Sequence, residues 1–167
     1  MRSLLFIIFV FASSYGYSQI FPPIDSVERY GSGDEVFNLK IEMSFHGTAE
    51  FLMSRNGENY EILLNREEIL YNTESEIPSK KVYSKTLSLL SSEAGKTLNL
   101  FKMALQYNTL DDTFGLDGSR WCLKTDRMFT ETNACFWSPD WNSNERGLEG
   151  ISILGQHLSK LFEIEVY

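Results

Sequence analysis

The sequence predicts an α+β fold: an antiparallel β-sheet with two amphipathic helices packed on one face. Three observations support this prediction. Several segments alternate apolar and polar residues, as half-buried strands do. Two segments repeat apolar residues at helical spacing. The strands come in groups rather than alternating singly with helices, which favours antiparallel pairing. Residues 35–167 are expected to form this fold as a single domain.

The first three strands are expected in succession. About Glu35–Phe45 forms strand 1, with a polar outward face and an inward face of Phe37, Leu39, Ile41, Met43 and Phe45. A turn at His46–Thr48 leads to a second strand over about Ala49–Ser54. Asn56-Gly57 then favours a type I′ turn. The third strand is expected over about Asn59–Asn65.

A fourth strand and the first helix follow. Ile69–Tyr71 is a weak apolar run, Glu74–Lys80 is expected to be a loop, and Val82–Leu89 is a further strand. Ser91 or Ser92 is expected to cap the first helix. Its apolar face is Ala94, Leu98, Phe101 and Leu105. Asn108–Gly115 is interpreted as a polar connection.

The second helix is expected to begin at about Asn144, after Ser138-Pro139 has ended the last strand. Residues at helical spacing form one apolar stripe along it. These are Leu148, Ile151, Leu154, Leu158, Leu161 and Phe162.

Between the helices, about Arg120–Thr125 and Glu131–Trp137 form a predicted β-hairpin. A register that sets Cys122 opposite Cys135 also aligns the apolar neighbours, Trp121 with Phe136 and Leu123 with Ala134. A slip of one residue would put the cysteines on opposite faces. A disulfide between them is therefore predicted, in preference to two free buried thiols.

The N-terminus has the features of a secretory signal. Arg2 precedes the apolar run Leu4–Ala12, and small residues follow, so residues 1–18 are expected to be removed. Residues 19–34 are interpreted as an extended leader. The protein is expected to be exported, either periplasmic or secreted. No stable membrane insertion is expected after signal removal, since the run is too short to span a bilayer.

The composition is acidic. The formal net charge is −8, which repels phosphate backbones and excludes nucleic acid as an expected partner. Another protein is the expected partner, and its identity and the oligomeric state are left open.

No catalytic constellation is evident. His46 and His157 are expected to be structural because neither is combined with a nucleophile motif. Asp111, Asp112 and Asp117 could hold calcium, but the use of Asp in turns explains them more simply. No catalytic residue, metal ligand or cofactor is therefore assigned.

The C-terminal half resembles a recurrent pattern in small bacterial proteins of unassigned function. A DG-x-x-W strand, an F-W-S-P strand and an amphipathic helix carry this resemblance, through Asp117, Gly118, Trp121, Trp137, Ser138 and Pro139. It implies a related fold and transfers no catalytic residue.

Arg120, Trp137 and Trp141 are the candidate binding residues, because tryptophan and arginine are favoured contact residues. Arg120 lies opposite Trp137 in the predicted register, within reach of a cation–π contact. The alternative is that both rings are buried against the second helix or the leader. The resulting functional hypothesis is an exported, non-enzymatic binding or protective protein of the inhibitor or immunity type. The alternative is a small exported hydrolase using a carboxylate or calcium site.

Overall fold

The structure, a computed structural model, describes residues 34–71, 78–125 and 132–166. In chain order the elements are β1 (Asp34–Met43), β2 (Gly47–Asn56), β3 (Asn59–Leu70), β4 (Ser79–Leu89), α1 (Ser91–Ala104), β5 (Ser119–Thr125), β6 (Thr132–Trp137) and α2 (Glu149–Phe162). The expected signal and residues 19–33 of the leader lie outside the described residues. The single-domain assignment stays a prediction.

The strands form one six-stranded antiparallel sheet in the order β4-β3-β2-β1-β5-β6. Both helices cover the same face, called here the inner face. Phe37 of β1 stacks on Phe101 of α1, with ring centroids 4.8 Å apart. Phe51 of β2 meets Phe162 of α2 at 5.8 Å. The predicted α+β class is therefore confirmed.

The core lies between the inner face and the helices. Its fully buried side chains alternate along the strands and recur at helical spacing, as predicted. The largest are Trp121, Phe37, Phe51, Leu39, Ile41, Met53, Ile62, Leu64, Leu123, Leu148, Ile151 and Leu154.

Strand β1 departs from simple alternation at both ends. The register shifts between Glu35 and Phe37. Val36 is the extra residue of this bulge and is buried, although alternation predicted it to face outward. Phe45 was predicted to be inward and is exposed, because β1 ends at Met43 and the chain has already turned.

The hairpin β2–β3 is longer than predicted. Asn56 pairs with Asn59, so Gly57 and Glu58 form the loop. Only Gly57 of these two has a positive φ, +64°. The expected type I′ turn is therefore wrong, since it needs positive φ at both positions. The weak run Ile69–Tyr71 is not a separate strand: β3 continues through Leu70.

Strand β4 begins at Ser79, so Ser79 and Lys80 belong to it rather than to the predicted loop. Residues 72–77 of that loop lie outside the described residues.

Both helix starts differ from the predictions. The N-cap of α1 is Leu90, without a side-chain hydrogen bond, so the predicted serine cap is wrong. Helix α2 begins at Glu149 instead of about Asn144. Residues 139–147 form turns, with positive φ at Asn142 (49°) and Gly147 (68°). Such backbone angles end a helical repeat.

The β5–β6 hairpin has the predicted register. Cys122 pairs with Cys135 and the two are disulfide-bonded. Trp121 pairs with Phe136 and Leu123 with Ala134. Trp121 and Phe136 are buried on the inner face. The disulfide therefore lies on the opposite, outer face.

The outer face carries a ladder of polar side chains across four strands. Ser84 donates to Asn65 at 2.8 Å, and Asn65 donates to Glu50 at 3.4 Å. Asn38 donates to the other Glu50 oxygen at 2.8 Å. Because these polar side chains hydrogen-bond to one another across successive strands, this face is stable without helices packed on it.

Two glycine substitutions test how closely α2 packs on the sheet. A Cβ at Gly155 would collide with the Trp121 ring, whereas a Cβ at Gly95 in α1 would meet nothing within 4 Å. Gly155→Ala should destabilise the fold by about 1–3 kcal/mol through overpacking. Gly95→Ala should stabilise it by about 0.5–1 kcal/mol through helix propensity. Urea unfolding measures both, and equal effects would contradict this packing.

Removal of the disulfide tests its contribution to stability. The two cysteines are 13 residues apart, and closing a loop of about that size contributes roughly 3 kcal/mol on the entropic model. Cys122→Ser/Cys135→Ser should lower the free energy of unfolding by about 2–3 kcal/mol while retaining the native far-UV spectrum. Thiol labelling of the denatured, unreduced wild type should find no reactive thiol. Two labelled thiols per chain would show that the bond is missing.

Candidate functional site: an aromatic groove beside the β5–β6 hairpin

A groove of about 490 Å³ opens where β5 begins and β6 ends. We call it the aromatic groove. Phe114, Phe136 and Trp137 are its aromatic residues, and Glu42 and Arg120 are its charged residues. Its full lining is Glu42, Met43, Ser44, Thr113, Phe114, Gly115, Gly118, Ser119, Arg120, Cys135, Phe136 and Trp137.

Trp137 lies on the outer face, because its neighbour Phe136 faces inward. Its six-membered ring lies directly against the backbone of Gly115 and Gly118. A Cβ on Gly115 would overlap the ring, and one on Gly118 would lie 3.0 Å from its Cζ2 atom. Gly118 also has a φ of +136°, which few other residues adopt. The two glycines thus let the loop cover one side of the indole.

Ser119 and Ser138 close the open end of the hairpin. The Ser138 N–H donates to the Ser119 carbonyl at 2.6 Å, and the Ser119 N–H donates to the Ser138 hydroxyl at 3.0 Å. The Ser119 hydroxyl in turn accepts the Trp121 indole N–H at 2.7 Å. These bonds join residues of the two sequence motifs and place the Trp121 ring in the core.

Arg146 holds the segments around the groove together. Its guanidinium donates to both carboxylate oxygens of Asp111, at 3.0 and 2.9 Å. It also donates to three backbone carbonyls, of Trp137 (2.8 Å), Ser138 (2.8 Å) and Trp141 (3.0 Å). The side chains of Arg146 and Asp111 are only 9% and 5% exposed. A buried, two-pronged pair of this kind is strong and directional.

Asp111 is occupied by these contacts. Its hydrogen bonds from Arg146 hold the pKa of the carboxyl below its usual range, and the Thr113 hydroxyl adds to this by donating at 2.9 Å. Asp112 and Asp117 are exposed. In residues 34–71, 78–125 and 132–166, no three His, Cys, Asp or Glu side chains are grouped so that they could hold a metal ion.

Exposed apolar side chains surround the groove. Phe114 is 88% exposed and Leu116 is 98% exposed, both on the loop between α1 and β5. Trp141 is 56% exposed and meets Trp137 edge to face, with ring centroids 6.4 Å apart. Clusters of exposed apolar side chains on a folded protein mark contact sites.

The predicted binding residues fall into one region. Arg120 and Trp137 line the groove, and Trp141 contacts Trp137. Trp137 lies on the face opposite α2, and Trp141 is 56% exposed. The expected cation–π contact between Arg120 and Trp137 is wrong: Arg120 pairs with Glu42 at 3.8 Å. The guanidinium near a tryptophan is that of Arg146, 5.9 Å from the Trp141 ring centre.

Sequence reasoning missed Phe114 and Arg146. The interpretation of residues 108–115 as merely a polar connection overlooked an available signal, because Leu110 and Phe114 are large apolar residues in this segment and Leu116 follows it directly. Nothing in the sequence joins Arg146 to Asp111, which lies 35 positions earlier.

His157 lies between the two helices, with its Nε2 atom 2.9 Å from the Thr97 hydroxyl. That hydroxyl donates to the Glu93 carbonyl at 2.9 Å, so it accepts from the Nε2–H of His157. Burial lowers the pKa of His157, and nearby Lys96 adds to the effect. The ring joins α1 to α2 on the inner side, remote from the outer-face groove.

Among the helices of the described residues, neither is long and apolar enough to cross a membrane.

Comparison with protein-family profiles, with curated proteins and with solved structures finds no match for this chain.

Removing the Asp111 carboxylate tests how much its ion pair with Arg146 contributes to stability. Asp111→Asn leaves a buried guanidinium without a counter-charge, so stability should fall by about 3–5 kcal/mol at pH 7. Because folding lowers the pKa of Asp111, its contribution is present above the unfolded value of about 3.9 and is lost as pH falls through the lower folded value. The gap between wild type and Asp111→Asn should therefore narrow in acid.

Asp112→Asn is the matched control, since Asp112 is the exposed neighbour and surface substitutions usually change stability by less than about 0.5 kcal/mol. Urea unfolding from pH 7 down to pH 2.5 makes the comparison. If the two variants have the same free energy of unfolding, the ion pair between Asp111 and Arg146 contributes nothing to stability.

Proposed function

We propose that this protein is exported and binds another protein through the aromatic groove, as a non-enzymatic inhibitor or immunity-type protein. One observation carries the proposal. Exposed apolar side chains, namely Phe114, Leu116 and Trp141, border a preformed groove that already contains Trp137. Aromatic residues beside a concave surface are the usual centre of a protein contact.

Rigidity of the surrounding elements supports binding. The Cys122–Cys135 disulfide joins the two strands that present Arg120 and Trp137. Arg146 ties the loop at Asp111 to the backbone around Trp141. A surface held in this way loses little conformational entropy on association, so more of the contact energy is retained as affinity.

Export is supported by two independent features. A disulfide is typical of proteins that fold in an oxidising compartment. The apolar N-terminal segment, with Arg2 ahead of it, has the order of charge and hydrophobicity that secretory signals share. Sequencing of the mature N-terminus should begin near Gln19.

A protective role fits the charge. At a net charge of −8, the protein is attracted electrostatically to basic partners, which speeds their encounter and disfavours acidic competitors. The alternative, a small hydrolase with a carboxylate or calcium site, has no specific arrangement in its favour within the described residues. Asp111, one of the three aspartates considered for such a site, is paired with Arg146.

Site-specific photo-crosslinking tests the location of the contact. A benzophenone amino acid replaces Phe114 in one variant and Leu90 in the other. Leu90 is also highly exposed, at 71%, but lies at the start of α1. In the exported fraction, the probe at 114 should yield a discrete adduct with another protein and the probe at 90 should yield none.

The captured partner then allows affinities to be measured. Trp141→Ala should weaken its binding by about 2 kcal/mol, roughly thirtyfold, as expected for a central aromatic contact. Leu90→Ala should leave it unchanged, and both variants should melt cooperatively. Adducts from both probes alike, or full affinity in Trp141→Ala, would contradict the proposed surface.

A further inference from the structure

Strand β6 is an edge of the sheet, next to the groove. Successive residues of the neighbouring strand β5 direct their backbone hydrogen-bonding groups alternately toward β6 and toward β1. The Ser138 N–H donates to Ser119 on the β6 side, while the Ser44 N–H donates to Gly118 on the β1 side. Along an antiparallel ladder this alternation continues, so the backbone N–H and C=O groups of Phe136 and Ala134 are hydrogen-bonded to β5. The backbone groups of Asn133 and Cys135 therefore point away from the sheet.

The side chains of Asn133, Cys135 and Trp137 share the outer face with the groove, and two of them line it. A strand added at this edge would therefore run alongside the groove. Its alternate side chains would project onto the outer face. One of these could enter the space between Phe114 and Trp137.

The two edges of the sheet differ in charge. Strand β4, the other edge, carries Lys80, Lys81 and Lys85. Lysines on an edge strand oppose pairing with another chain. Strand β6 reads Thr-Asn-Ala-Cys-Phe-Trp and has no charged residue. The edge beside the groove therefore lacks the protection that the remote edge possesses.

The charges around the groove select the partner. Asp112 and Asp117 are exposed and each precedes a groove residue in the chain, and Asp140 is exposed next to Trp141, while Arg146 is neutralised by Asp111. Glu42 lies between two cations, Lys40 at 2.7 Å and Arg120 at 3.8 Å. The exposed acids therefore lie on the loops that border the groove, and the protein as a whole carries a net charge of −8. A second copy of this chain would bring acid against acid, since the same patch meets itself in a twofold dimer.

We propose that the partner contributes an extended, basic peptide segment that pairs with the β6 edge and inserts an apolar side chain into the aromatic groove. This inference rests on the groove being the contact surface proposed above. Main-chain hydrogen bonds to the edge provide affinity, and the groove and its acidic border select the side chains, as in other strand-addition complexes.

The probe is a random dodecapeptide display library selected on the oxidised, full-length mature protein. Enriched peptides should carry excess Lys and Arg, together with apolar residues at every second position. N-methylation of the backbone of one selected peptide should weaken binding at alternate positions only. Equal effects at all positions, or no sequence preference, would overturn the strand-addition mode.

Asn133→Pro is the matched test on the protein. The Asn133 N–H points outward, so proline removes an edge donor without breaking the ladder to β5. The selected peptide should bind about tenfold more weakly, the effect of losing one backbone hydrogen bond and blocking close approach. Asn133→Ala keeps the N–H and should bind within about twofold of wild type. Retention of the disulfide and a cooperative melt verify the fold of each.

The outcomes separate the two proposals. Binding that Trp141→Ala weakens but Asn133→Pro does not would refute strand pairing and leave the groove as the contact surface. Failure of both the library and the crosslinking probe at Phe114 would refute both. Concentration-dependent self-association that Asn133→Pro abolishes would identify a second copy as the occupant and overturn the basic peptide.

Discussion

The pairing of β5 with β6 is the constraint on which the rest of the molecule depends. One register places Trp121 and Phe136 in the core and the Cys122–Cys135 bond on the outer face. The Trp121 ring then lies against Gly155 of α2, which leaves room for the ring because it has no side chain. A shift by one residue would move every side chain to the wrong face. Helix position and groove position therefore both follow from this pairing.

Arg146 extends that order into segments without regular structure. Residues 105–118 and 138–147 have no ladder of their own, and their backbone groups need partners. The Arg146 guanidinium donates hydrogen bonds to three of these carbonyls and to one carboxylate. The planar fork suits this task because its donors diverge in fixed directions, which a lysine ammonium cannot reproduce. The edges of the groove are thereby held in place by an interaction beneath its surface.

The core and the proposed contact surface lie on opposite faces of the sheet. The inner face contains the apolar core, and His157 with Thr97 connects the helices above it. The outer face is polar, with the Asn38–Glu50–Asn65–Ser84 ladder across its middle. At its β6 end, the aromatic rings of Trp137 and Phe114 lie beside the polar groups. Substitutions of Phe114 or Trp141, which are exposed and outside the core, can therefore test the proposed binding without removing core contacts.

Local sequence patterns were enough to predict the α+β class, most strand positions and the hairpin register. Alternation and helical spacing report directly which face of an element is buried, and the two cysteines with their apolar neighbours admit one common register. The same reasoning placed Arg120, Trp137 and Trp141 in one region. It failed at Val36, at the start of α2 and at the turn of Gly57, where bulges and backbone angles interrupt the period.

Tertiary structure alone decided what surrounds the groove. Asp111 and Arg146 are far apart in the chain, and hydrogen bonds between such residues leave no periodic trace. The exposure of Trp137 depended on where both helices packed, because alternation separates two faces of a sheet without showing which one is covered. Sequence determined the pattern of each element; the exposure of Phe114 and Trp141, and the uncharged edge beside them, arose from the way those elements assembled.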